Sequence, residues 1–160
     1  MEAPDIVFDP PIDGGVVVGH DGSGPSDAAL DWAVREAIAH GSPLNVVRAW
    51  TLATAAGQVQ VPFGVVPSFD ECTAAARRQT HDAVDAALEQ AGSPDLDVRL
   101  HIVHGAASTV LLAAARTADV VVVGHHGHGV LESVLDSMLG SVALHVLRHA
   151  PCPVAVLRAG

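Results

Sequence analysis

Val120 to Val123 are four β-branched residues in a row, and the run ends at Gly124. A run this short, apolar at every position, suits a strand buried on both faces and is too brief for a helix. The signal recurs. Val16-Val17-Val18 ends at Gly19, residues 44–50 (LNVVRAW) follow Gly41, and Val154 to Arg158 follow Pro151-Cys152-Pro153. Residues 96–103 (LDVRLHIV) alternate instead, as a strand covered unequally on its two faces would. Between these runs the apolar period changes to that of a helix. Leu30, Ala33, Val34, Ala37 and Ile38 share one face; so do Ala76, Ala83, Val84, Ala87, Leu88 and Ala91, in a stretch opening near Ser68. Val110, Leu111, Ala114 and Ala115 mark a third helix, and Leu135, Leu139, Val142 and Val146 a fourth. Ser23 or Ser26 can cap the first helix, Pro25 suits its first turn, and Gly41 stops it. Residues 51–67 have no clear period and read as a loop with room for a short helix.

The resulting order, β-α-β-α-β-α-β-α-β, predicts an α/β fold: a doubly wound, five-stranded parallel sheet with helices on both faces. Right-handed crossovers leave only a few such arrangements. The unit is not repeated and no linker divides it, so residues 15–160 are expected to form one domain. Residues 1–14 are acidic, carry three prolines and read as a flexible tail. They lack the basic start and apolar stretch of a signal peptide, and no apolar run approaches the ~18 residues that span a bilayer. Together with only two cysteines, Cys72 and Cys152, this reads as a cytoplasmic protein with reduced thiols and no membrane partner.

The formal net charge is −10, which argues against a nucleic acid partner, since such binding needs a basic surface. All eight basic residues are arginine. A phosphate loop of the kind that relies on a lysine is therefore excluded, and any phosphate site must work through main-chain N–H groups. In doubly wound sheets ligands bind beyond the carboxyl ends of the strands, where strand order reverses. Two strand ends carry glycine-rich polar turns: Gly19-His20-Asp21-Gly22-Ser23, and the segment from Gly124 to Ser141. Glycines there let the backbone approach an oxyanion and form an anion nest, helped by a helix N-terminus. The same glycines also serve a simple turn, and Asp21 equally serves as a turn former. Arg48-Ala49-Trp50 stand at another strand end and can form a wall. His125, His126 and His128 raise a metal reading, but adjacent loop histidines with no nearby cysteine do not make a converging ligand set, so no metal site is assigned. Beside a phosphate they would gain charge below about pH 6.5 and favour anions; an affinity that did not rise between pH 8 and pH 6 would count against that hypothesis.

Two stretches, VVVGHDGSGPSDAALDWAVREAIAHGSPLNVVRAW and TADVVVVGHHGHG…MLGSVALHVLRHAPCPVAVLRAG, resemble the first and last parts of the universal stress protein family. The resemblance covers roughly residues 15–158. It implies a five-stranded parallel sheet, usually in a homodimer, and in nucleotide-binding members a G-x2-G-x9-G-(S/T) loop around the ribose and phosphates of ATP with magnesium. Carried over by position, Gly124 and Gly127 match the first two glycines, with His128 and Gly129 following in the loop. Gly140 and Ser141 match the closing pair, and Val142 follows them. Asp21 matches an aspartate near the base or the magnesium, Ala49 an adenine-facing position, and Val123 the residue before the loop. The spacing departs: twelve residues, not nine, separate Gly127 from Gly140. Because the flanking pattern stays in register, an outward bulge that leaves Gly140-Ser141 in place is expected. Glu132 and Asp136 fall in this insertion and read as solvated.

The function implied is a stress-response sensor or regulator that binds an adenine nucleotide, ATP first, between the ends of strands one and four. No catalytic residue is assigned, since no GxSxG or other nucleophile signature occurs, and slow ATP hydrolysis is the most that is expected. The alternatives are a nucleotide-free dimeric interaction module of the same fold, or a relative that binds cyclic AMP. The last strand, Val154 to Arg158, is the expected homodimer edge.

Overall fold

The computed structural model describes residues 5–55, 58–93, 95–127 and 139–159. Among them five parallel strands form one sheet: β1 (Val16–Gly19), β2 (Leu44–Trp50), β3 (Val98–His104), β4 (Val120–Gly124) and β5 (Val154–Leu157), in the order β3-β2-β1-β4-β5. The fully apolar run Val120–Val123 is where the sequence argument places a doubly buried strand, and β4 lies between β1 and β5 with Val121 and Val122 fully buried. The alternating run forms β3 at the sheet edge, where cover is uneven. It is shifted to Val98–His104 from the expected 96–103.

Helices α1 (Gly24–His40) and α3 (Phe69–Ala91) cover one face; α4 (Ala107–Ala115) and α5 (Ser141–His149) cover the other. The short α2 (Leu52–Ala55) occupies the stretch without a clear period. Ser23 is the cap of α1, accepting from the Ser26 amide at 3.4 Å, while the Ser26 hydroxyl donates to the Ser23 carbonyl at 2.9 Å. At α3, Ser68 and Glu71 form a reciprocal capping box, 3.1 Å one way and 2.7 Å the other. The fourth expected helix starts at Ser141 in the described residues; Leu135, read as its first apolar position, lies outside them. Among the described residues no helix is long and apolar enough to cross a membrane.

The strand order positions the site. From β1 the chain moves outward through β2 to β3, then returns to the other side of β1 as β4. The turns after β1 and β4 therefore diverge to opposite faces and leave a crevice between them.

Residues 5–14, read from composition as a flexible tail, have contacts of their own. Ile6, Phe8 and Ile12 pack on the α4 face of the sheet, the Thr117 hydroxyl donates to the Ile12 carbonyl, and the Gly14 amide donates to the Thr117 carbonyl at 2.8 Å. The Phe8 ring stands edge-on to His101 at 5.5 Å. These apolar side chains join the cluster that α4 and α5 form with that face of the sheet.

His101 itself is buried, and its Nε2–H donates to Asn45 Oδ1 at 2.9 Å. Burial, and secondarily the charge of Arg99, pushes its imidazole below the ordinary value of 6.5. The unfolded chain therefore takes up this proton first, and stability is lost as pH falls through about 6.5. The urea midpoint is expected to drop between pH 7 and pH 5, and to drop less in His101→Gln. Equal pH dependence in the two proteins would remove His101 from the account.

Candidate functional site

At the end of β1 the backbone holds a tight arrangement. The His20 amide donates to the Val47 carbonyl at 3.0 Å, tying the turn to β2, and His20 Nε2 pairs with Asp27 Oδ1 at 2.7 Å, tying it to α1. His20 is thus an anchor of the turn. Asp21 follows. Its Oδ1 accepts from the Ser23 amide at 2.9 Å, and its own amide donates to the Ser26 hydroxyl at 3.3 Å. Its Oδ2 faces Gly127 so closely that a Cβ at that position would collide with it.

The second turn leaves β4 at Gly124, which is pressed on Pro25 in the first turn of α1. The His125 amide donates to the Leu157 carbonyl at 2.8 Å, and the Gly140 amide donates to the His125 carbonyl at 2.6 Å. That second bond brings the two ends of the long loop together at its base. The lengthened spacing therefore still delivers Gly140 and Ser141 to the end of β4. The expected outward bulge, like His128, Gly129, Glu132 and Asp136, lies outside the described residues. Gly140 precedes α5 with extended backbone and no side chain to cap it. The amides of Ser141, Val142 and Ala143 open the helix and have no partner within it, which makes a positive, donor-lined end. The His125 and His126 rings pack edge to face at 4.1 Å.

Between the turns lies a cleft of about 460 Å³. Asp21, Ala49, Val123, Gly124, Gly127, Gly140, Ser141 and Val142, all singled out in the sequence, line it together. The cleft has two chemically different ends. Glycines and the start of α5 make one; Ala53, Ala55, Val59, Cys72, Ala75 and Ala76 make the other, under α2 and α3. Motif reasoning missed this apolar end, because alanines on a helix carry no signal of what they face. Cys72 is buried there and Cys152 partly buried elsewhere, both as free thiols.

Arg48 enters the same cleft from β2. The sequence places it only in a wall; the available signal is a charged residue among the apolar neighbours Val46, Val47 and Ala49. It is 3% exposed, and its Nη2 donates to Gln58 Oε1 at 2.7 Å and Gln79 Oε1 at 3.1 Å. Burial lowers the guanidinium from its ordinary range, and the nearby Asp21 carboxylate acts in the opposite direction. An arginine keeps its charge regardless.

Residues 15–158 match the family model described as "Universal stress protein family". A universal stress protein of Mycobacterium tuberculosis (strain H37Rv) is 35% identical over 144 residues, covering 89% of this chain and 47% of the relative. The chain thus spans about half the length of the curated relatives it matches. Among solved structures, a universal stress protein in complex with cAMP superimposes with a TM-score of 0.60 at 28% identity, over 92% of this chain and 98% of that one. A protein of the same family from Burkholderia pseudomallei gives 0.61 at 27% identity, over 89% and 95%.

Proposed function

The chain belongs to the universal stress protein family, and from that premise we propose that it binds an adenine nucleotide, ATP foremost, in the cleft between β1 and β4. The observation that carries this reading is the contact of Gly127 with Asp21. A side chain at 127 would occupy the space, so the backbone stays bare where it meets the crevice. Bare main chain, the open amides of α5 and a hydroxyl at Ser141 are the donors a polyphosphate takes. The apolar end suits the base. The likeness to a cAMP-bound relative supports an adenine ligand of some kind.

Asp21 is the one carboxylate lining the cleft among the described residues. That fits a magnesium ion held chiefly by phosphate oxygens and water, with one protein carboxylate beside it; bound there, the ion would neutralise phosphate charge. The role is that of a cytoplasmic sensor or regulator whose occupied and empty states differ, with hydrolysis slow at most. Among the described residues β5 is an edge strand of the sheet, and a second copy pairs along it. Sedimentation of the intact chain as a monomer at micromolar concentration would refute the pairing.

Thermal denaturation tests the ligand. At a hundred times the dissociation constant a ligand adds about 2.7 kcal/mol, and a chain of this size gains about 2–4 °C per kcal/mol. ATP with magnesium is therefore expected to raise Tm by about 5–10 °C. A shift with cyclic AMP and none with ATP would replace ATP by the cyclic nucleotide. No shift with any adenine nucleotide would overturn the reading and favour the interaction module.

A further inference from the structure

We propose that Arg48 reads the purine: its Nη1 donates a hydrogen bond to a ring nitrogen of the bound base. The proposal rests on the nucleotide reading above and goes further by assigning a base-specificity residue. Two amide oxygens hold Nη2 and set the plane of the guanidinium. The other terminal nitrogen, Nη1, is buried with no partner among the described residues, and Arg48 forms no ion pair among them. Two places along the same strand, Trp50 is 4% exposed, lines the same cleft, and leaves its Nε1 without a partner as well. Buried donors left unmade are costly, and charged ones most of all, so a pair of them on side chains that line one cleft points to acceptors that arrive with a ligand.

The polarity of the cleft says which part of the ligand arrives there. Phosphates belong with the glycines and the start of α5, whereas Arg48 and Trp50 stand on β2 beside the alanine-lined end. What lies at that end is flat and largely apolar, with acceptors at its rim. Purine ring nitrogens meet that description. The exocyclic amine of adenine does not, because it is a donor facing donors. A guanidinium fixed through one nitrogen and free at the other selects for an acceptor in one direction.

The test is calorimetric titration of the whole chain with ATP and with its 1-deaza, 3-deaza and 7-deaza analogues, each of which replaces one ring nitrogen by C–H. One analogue is expected to bind about tenfold more weakly than ATP or worse, the loss of a charge-assisted hydrogen bond. In Arg48→Met that analogue and ATP should bind equally. Arg48→Lys keeps the charge without the fork, and should also lose the discrimination; it serves if the methionine variant does not fold, and the analogue series in the native chain needs no variant. Equal binding of all four nucleotides by the native chain overturns the proposal, as does discrimination that survives in both variants. A uniform loss for all four in the variants, with no analogue singled out, would make Arg48 an anion contact instead. If the native chain binds none of them, the nucleotide reading itself falls, and this proposal with it.

Discussion

Gly127→Val is expected to lower nucleotide affinity by about a hundredfold or more, equivalent to about 2.7 kcal/mol of binding free energy. The reason is local. A Cβ at 127 meets the Asp21 carboxylate at a separation that real side chains do not adopt. Asp21 cannot simply swing aside, because its other oxygen accepts from the Ser23 amide and holds the turn after β1. Either the loop withdraws from β1 or the turn opens, and both alter the crevice where the phosphates are proposed to lie. Gly127→Ala is expected to have a smaller effect in the same direction. Adding Asp21→Ala to Gly127→Ala removes the collision, so the two changes should not be additive. Titration calorimetry on the four proteins measures the coupling. Unchanged affinity in Gly127→Val would show that the ligand does not use this backbone.

Gly124→Ala should act on the fold. Its added Cβ would stand 2.7 Å from the Pro25 carbonyl carbon, 2.8 Å from its Cβ and 2.9 Å from its oxygen. Two of these atoms are backbone in the first turn of α1, so no rotamer change relieves the contact. The helix must move off the end of β4. Overpacking of this kind costs about 1–3 kcal/mol, which for a chain of this size lowers Tm by about 2–12 °C. Because Ser23 and Ser26 in that turn support Asp21, nucleotide affinity should fall as well. A melting temperature equal to that of the native protein would show that β4 and α1 can separate there without loss.

Both substitutions act at glycines noticed in the sequence, but for reasons not written there. The period of the apolar residues and the capping residues are local facts. A run such as Val120–Val123 satisfies few structures other than a buried strand, and Ser68 with Glu71 three residues on closes a helix start through its own neighbours. That is why strand and helix positions, and the parallel sheet they imply, could be read directly. The family likeness then marked Asp21, Gly124, Gly127, Gly140 and Ser141 as belonging together. What each of them touches was not legible. The twelve-residue spacing left open whether Gly140 returns to the end of β4, and a single hydrogen bond to His125 answers it.

Other features were invisible for the same reason. Ile6, Phe8 and Ile12 sit among prolines and acidic residues, and composition reads them as a tail; their place depends on the apolar face that α4 and α5 build with the sheet. Asn45 and His101 are 56 positions apart and become partners through the pairing of β2 with β3. Arg48 looks like one charged residue in a strand until α3 brings Gln79 and the loop brings Gln58 to one of its nitrogens, leaving the other buried without a partner among the described residues.

The chain by itself determined which segments are strands and helices, a net charge of −10, and the bare glycines where phosphates would lie. Tertiary structure alone decided that Gly140 returns to the end of β4, that Gly127 rests on Asp21, and that Arg48 keeps a buried donor without a partner among the described residues. Secondary structure follows from forces acting over a few residues. Proximity between distant residues follows from how whole faces bury one another, and the pattern of a single segment does not contain it.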